Sequence, residues 1–207
     1  MQTEILPISA PNTLKRALEV LQAGELIAFP TDTVYGLGTL AFSAAGAAKI
    51  YETKERPPEK ALPILLGEIG QLKLVAEYVP EIAQKLATAF WPGAVTLILP
   101  KHPDIPKSVS ALDTVGVRIP DHAFARDLFR AAGPMTVSSA NLSGHSNPSS
   151  AEEVYAQLNG SLPLILNGGR ISGGVPSTVV DCTGTDIRIL RKGSISWEMI
   201  REALAES

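Results

Sequence analysis

Two hydrophobic periods alternate along this chain. From about Pro11 to Ala23, Leu14, Ala17, Leu18 and Leu21 recur at helical spacing, and Gly24 closes the segment as a C-cap. The apolar run Glu25–Phe29 then reads as a strand that Pro30 stops by removing a backbone donor. Helical stretches recur at Ser43–Thr53, Pro80–Phe90 and His122–Ala132, the second closed by Trp91-Pro92-Gly93. Short apolar runs predict strands at Leu62–Leu66, Val95–Leu99, Thr114–Ile119, Met135–Val137, Leu164–Leu166, Thr178–Cys182 and Arg188–Leu190. Ser150 with Glu153 forms a capping-box pattern for a helix ending near Asn159, and a last helix follows from about Ser196 to Ala205. The fold class is α/β or α+β, with a mixed sheet, because several strand connections are too short for a crossover helix. One domain is expected over residues 1–207, its core about 11–195 and its C-terminal helix about 196–205.

Composition narrows the function classes. The chain has 207 residues, 45% of them hydrophobic, enough for one sizeable core. Its apolar runs are broken by Gly and Pro well short of the roughly 18–20 residues a membrane span needs, and Met-Gln-Thr-Glu-Ile-Leu-Pro has no signal-peptide pattern. A soluble, cytoplasmic protein with no membrane partner is the expectation. Cys182, the single cysteine, excludes an internal disulfide and, flanked by Val-Val-Asp and Thr-Gly, reads as inert core packing. His102, His122 and His145 lack metal-ligand spacing, and no metal site built from side chains is expected. A net charge of −3 and a pI near 5.7 argue against a broad nucleic-acid surface.

Candidate chemistry concentrates in a few segments. Phe-Pro-Thr-Asp-Thr-Val-Tyr-Gly-Leu-Gly, residues 29–38, sets small hydroxyls around Asp32 and follows them with Gly36 and Gly38, which suit a tight turn. It fits either a ligand loop or a turn capped by its own Thr and Asp side chains. Lys54-Glu55-Arg56 runs into Pro57-Pro58; extended backbone there would point Lys54 and Arg56 together, as an anion site or as a solvated charge run. Along Thr114–Ile119, alternation puts Val115, Val117 and Ile119 on the core face and Thr114, Gly116 and Arg118 opposite. Gly116 leaves room for a ligand beside Arg118, although a water-facing edge arginine would read identically. Ser138–Gly144 is rich in hydroxyls and amides, Gly168–Gly174 is a glycine-rich candidate for a closing loop, and Arg191-Lys192 adds cations at a strand end. Neither a P-loop nor a dinucleotide fingerprint occurs, so arginine and lysine side chains would have to hold any phosphates.

In order, the decapeptide, Lys54-x-Arg56-Pro57, Trp91-Pro92-Gly93 with Thr96-Leu97, Val117-Arg118-Ile119-Pro120, Ser139-x-Asn141-x-Ser143-Gly144, Ser177–Asp181 and Arg191-Lys192-Gly193 resemble the YrdC-like family, the threonylcarbamoyl-adenylate synthases of tRNA modification. Ala61-Leu62 and Ala94-Val95 replace Pro-Leu pairs usual in that family, apolar for apolar.

The resemblance implies a twisted mixed sheet flanked by helices with a concave basic cleft. It implies an enzyme, a nucleotidyltransferase joining L-threonine, bicarbonate and ATP, with Mg²⁺ accompanying ATP. Downstream it implies a tRNA threonylcarbamoyl transferase complex, with tRNA or double-stranded RNA as a candidate partner. Lys54 and Arg56 would be catalytic. Thr31, Thr114, Val137 (through its backbone) and Ser177 would hold threonine. Lys54, Ser110, Arg118, Ser139, Asn147 and Arg191 would hold ATP. Asn141 and Asp32 would order loops. A related carbamoyl-transfer activity and an RNA-binding module without chemistry stand as alternatives, the latter marked by a steep salt dependence.

Overall fold

The computed structural model describes residues 2–57 and 59–205; Pro58 of the predicted Pro57-Pro58 extension, and residues 206–207 of the predicted domain, lie outside them. Ten strands form one mixed sheet in the order β1-β8-β2-β3-β7-β4-β6-β5-β9-β10. Its left half comprises β1 (Glu4–Pro7), β8 (Leu164–Asn167), β2 (Ile27–Phe29), β3 (Gly36–Leu40) and β7 (Met135–Ser139). The right half comprises β4 (Ile64–Leu65), β6 (Thr114–Arg118), β5 (Val95–Pro100), β9 (Thr178–Asp181) and β10 (Arg188–Arg191). Pairs β1/β8, β8/β2, β4/β6 and β5/β9 are parallel, while the β2/β3, β3/β7, β7/β4, β6/β5 and β9/β10 pairs are antiparallel. The mixed sheet expected from the short connections is therefore observed.

Period-two alternation sorts side chains onto two cores. Ile27 and Phe29 face one cluster with Leu164, Leu166 and two helices, α1 (Thr13–Gln22) and α5 (Ala123–Ala132); Ala28 faces the other. Phe29 and Phe129 meet edge-to-face at 5.4 Å. Each buried ring contributes about 1.5–3 kcal/mol by area and the pair about 0.5–1.5 kcal/mol more. The second cluster packs Leu37, Ile50, Leu86, Leu97, Val117 and Val154 beneath α2 (Ala44–Lys54), α4 (Glu81–Phe90) and α6 (Ala151–Leu158), and Ile200 of α7 (Trp197–Ala205) joins it. A short helix, α3 (Leu72–Val75), adds Leu72 and Val75.

Caps follow the sequence closely. Ser43 Oγ accepts the N–H of Gly46, and Gly24, at φ +76°, ends the turn after α1. Ser150 Oγ accepts the N–H of Glu153 at 3.3 Å, and Glu153 returns a bond by accepting from the N–H of Ser149 rather than Ser150, a capping box displaced by one residue.

Four local expectations change. Gly36 and Gly38 lie in β3, not in a turn; a Cβ at Gly36 would sit 2.8 Å from Val137 Cγ1 and one at Gly38 2.9 Å from the Thr136 carbonyl. The glycines thus permit close approach of β7. β7 itself runs two residues further than expected, pairing Ser138 with Leu37 and Ser139 with Gly36. Lys54 ends α2 instead of starting an extended segment: the pre-proline restriction acts on Arg56, while Glu55 leaves the helix through the left-handed region at φ 50°. Finally, β1 precedes the expected core start at residue 11; at the edge its exposure alternates over only four residues, too short a pattern to read in sequence.

Candidate active site

The middle of the sheet carries a cavity of about 200 Å³ in which polar groups from distant segments meet. The turn after β2 supplies Thr31, Thr33 and Val34; β5 supplies Thr96, β6 Arg118, and β7 Val137, Ser138 and Ser139. Arg56, Asn147, Ser177 and Arg191 complete the wall.

Arg118 organises it. Only 5% exposed, it donates from Nε to the Gly93 carbonyl at 2.8 Å, from Nη1 to the Thr33 hydroxyl at 2.8 Å, and from Nη2 to the Asp32 carboxylate at 2.5 Å. Burial pulls the guanidinium below its ordinary range while Asp32 opposes the shift, and arginine stays charged regardless. Asp32 thus ties the decapeptide to β6.

Thr31 closes the same turn on itself. Its hydroxyl donates to the Val34 carbonyl at 2.6 Å and accepts the N–H groups of Thr33 and Val34 at 3.2 and 3.3 Å. Of the two readings of this segment, the side-chain-capped turn is observed, and the same turn walls the cavity. On the far side Ser177 Oγ lies 2.7 Å from Thr96 Oγ1, and Arg191 donates from Nε and Nη2 to the Ser177 carbonyl and from Nη2 to its hydroxyl. Burial, then the positive fields of Arg118 and Arg56, lower the Arg191 pKa. Arg191 therefore feels both other guanidinium groups, and an anion beside it would relieve that repulsion.

Lys54 is not solvent-facing. It is 1% exposed, and its ammonium donates to the carbonyls of Ser139 and Asn141, pinning the end of β7 to the end of α2. Burial and then Arg56 bring its pKa down to about 8. Arg56, beyond the left-handed Glu55, reaches the cavity while donating to the carbonyls of Lys60 and Ala61 at 3.2 Å. The two cations act from different places rather than from one extended face.

Of the predicted site residues, Thr31, Arg56, Arg118, Val137, Ser139, Asn147, Ser177 and Arg191 line the cavity. Ser110 and Thr114 do not: Thr114 opens β6 and Ser110 lies in the segment before it, its hydroxyl donating to the Thr114 carbonyl at 2.7 Å. Asn141 is buried, with Nδ2 donating to the carbonyls of Leu142 and His145 at 2.8 and 2.9 Å, so it fastens the loop after β7. Cys182 is buried and its thiol pushed up to about 12 by burial and Asp181, which suits packing and not nucleophilic attack. Thr33, Thr96 and Ser138 escaped attention as contacts. Alternation along β5 puts Thr96 on one face with Ile98, the side chains against which Gly116 packs, and that was the available signal.

Residues 19–193 match the Sua5/YciO/YrdC family model, described as telomere recombination. The chain belongs to the Sua5/YciO/YrdC family. Within it, the chain is 42% identical over 194 residues to the threonylcarbamoyl-AMP synthase of Bacillus subtilis, spanning 92% of this chain and 56% of that protein. Pyrococcus abyssi Sua5, solved in complex with L-threonine, superposes with a TM-score of 0.94 at 37% identity over 99% of this chain and 62% of its own. Escherichia coli YciO superposes with a TM-score of 0.87 at 25% identity over 96% of this chain and 99% of its own. The chain thus spans a little over half of the Bacillus relative and nearly all of YciO. Among the described residues no helix is long and apolar enough to cross a membrane.

Proposed function

We propose that this chain catalyses formation of threonylcarbamoyl-AMP and pyrophosphate from L-threonine, bicarbonate and ATP, supplying the threonylcarbamoyl group that a separate transferase places on tRNA. The observation that carries the reading is the meeting of Arg56, Arg118 and Arg191 with the hydroxyls of Thr31, Thr33, Thr96 and Ser177 around one small cavity. Its setting in a fold matched to a protein solved with L-threonine, and relatives named threonylcarbamoyl-AMP synthase, support it.

The chemistry asks for what the cavity offers. Threonine's neutral amine adds to CO₂ derived from bicarbonate, giving a carbamate without an enzyme base. A carbamate oxygen then attacks the α-phosphorus of ATP, and pyrophosphate leaves. Nucleophile and phosphates are both anionic, so rate enhancement rests on charge neutralisation and alignment by groups already fixed in place. Arg118, held by three partners, needs no reorganisation to receive a carboxylate or phosphate oxygen. Arg191 and Arg56 sit at more open positions suited to the phosphates, while the Thr96–Ser177 hydroxyl pair suits the polar groups of threonine. Lys54 acts one step back, through the Ser139 and Asn141 carbonyls it holds.

Magnesium fits as part of the nucleotide. Among the described residues no three His, Cys, Asp or Glu side chains gather as a metal site, and Asp32 is taken by Arg118. Mg²⁺ would enter with ATP as a substrate complex.

Pyrophosphate release from ATP is measured with threonine and bicarbonate supplied together or omitted in turn. Release should require both; release indifferent to threonine overturns the reading.

A further inference from the structure

The larger cavity of the molecule, about 600 Å³, lies elsewhere, and no role given above uses it. Leu72, Val79, Ala87, Trp91 and Ile119 make it largely apolar, and α5 contributes Arg126 and Arg130. The indole N–H of Trp91 is already spent on the Val95 carbonyl at 2.7 Å, so only its ring is offered to the cavity. Gly67 lets α5 come this close: a Cβ there would stand 2.4 Å from the Arg126 carbonyl.

The two arginines differ. Arg130 donates to Asp127 at 2.7 Å and lies 3.7 Å from Glu68, which also lines the cavity, so these charges offset one another. Among the described residues Arg126 has only one ionic contact, the exposed Asp121 at 3.9 Å from Nη1, and its Nε is buried. Arg126 therefore brings a weakly paired positive charge to an otherwise apolar wall, and an anionic group on a ligand would pair with it. The volume falls in the range of small-molecule sites, about 300–1,000 Å³.

We propose that this cavity binds a small amphipathic carboxylate, its apolar body against Trp91, Leu72 and Ile119 and its carboxylate accepting from the accessible Nη edge of the Arg126 guanidinium. A carboxylate matches the guanidinium edge by geometry as well as charge, and the apolar walls supply the remaining affinity.

The probe is 3-phenylpropionate. The chain has two tryptophans, so Trp197→Phe leaves Trp91 as the only indole, and its emission reports binding at the cavity wall. Expected is a saturable change with 3-phenylpropionate at millimolar probe, and at least tenfold weaker binding of 3-phenylpropanol, which keeps the body and lacks the anion. Arg126→Met should weaken the acid at least tenfold. Arg126→Lys, which keeps the charge and removes the planar fork, should also weaken it. No saturation, equal binding of acid and alcohol, or Arg126→Lys binding as the parent does overturns the proposal. The readout is independent of ATP turnover, so it stands or falls apart from the proposed reaction.

Discussion

The two cavities handle positive charge in opposite ways. In the smaller one Arg118 has a partner for Nε and both Nη atoms, and Arg191 is braced on Ser177. In the larger one Arg126 keeps a buried Nε–H with nothing to meet it, above an apolar floor. Groups braced in advance suit the alignment of anions, while an apolar chamber with one weakly paired cation suits binding.

The sharpest way to break this contrast is to make one substitution in each cavity. Arg118→Met strips Asp32 of its ion-pair partner while the carboxylate stays largely buried, a loss expected near the lower end of the range for broken buried pairs, about 3 kcal/mol. Urea denaturation measures it, and threonine-dependent pyrophosphate release should vanish at concentrations where the variant remains folded. Arg118→Met with Asp32→Asn should regain part of the stability and none of the activity. If the single variant is as stable as the parent, the network is not what holds the decapeptide to β6.

Lys54 gives the next largest effect, through pH. Its folded pKa of about 8 lies below the ordinary 10.5, so the unfolded chain keeps this proton where the folded chain has lost it. Below about 8 both states carry the charge and burial penalises the folded one in full; from about 8 to 10.5 that penalty fades and the Lys54 contribution to stability rises with pH. The stability difference between the parent and Lys54→Met should therefore climb across that window. A flat difference would place the ammonium in water, against its contacts with Ser139 and Asn141.

How much of this was legible beforehand follows from what sequence encodes. Strand and helix periods, the Ser150 cap and the core position of Cys182 are local patterns, and they appear where expected. Arg118 was singled out because Gly116 two residues before it signals open space, and Ser177 through the family resemblance. The register by which β3 meets β7 is nonlocal, so Gly36 and Gly38 read as turn residues although they serve strand packing. Lys54 was misplaced for a related reason: proline constrains the residue before it, and a single left-handed residue, Glu55, lets the helix run up to that limit. The larger cavity has no sequence signature, because its walls join the amphipathic helices α4 and α5 to a four-residue α3 too short to show a period and to loop residues such as Gly67, Trp91 and Ile119.

A smaller effect separates the braced arginines. Arg191 is exposed but donates to the carbonyl and hydroxyl of buried Ser177, so Arg191→Ala should cost about 0.5–1.5 kcal/mol. One charge-assisted contact to phosphate, about 1.5–3 kcal/mol, corresponds to at least a tenfold rise in KM for ATP. Steady-state kinetics with ATP varied at saturating threonine reads it. An unchanged KM would remove Arg191 from the nucleotide's path and leave Arg56 and Arg118 as its cationic contacts.

Arg126→Met should have the smallest effect on stability, and its sign is the informative part. The substitution deletes an unmet buried donor and extends the apolar wall, so the folded state should be unchanged or gain up to about 1 kcal/mol. Only the long contact to exposed Asp121 is lost, and surface pairs of that kind contribute about 0–1 kcal/mol. Pyrophosphate release should be untouched, because Arg126 lies outside the smaller cavity. The same arginine-to-methionine change thus costs about 3 kcal/mol where it strips a buried carboxylate of its partner and nothing where its one ionic contact is long and exposed. A loss above 1 kcal/mol at Arg126 would mean that α5 depends on this side chain for its packing, and the distinction between a prepaid and an unfilled cavity would fail.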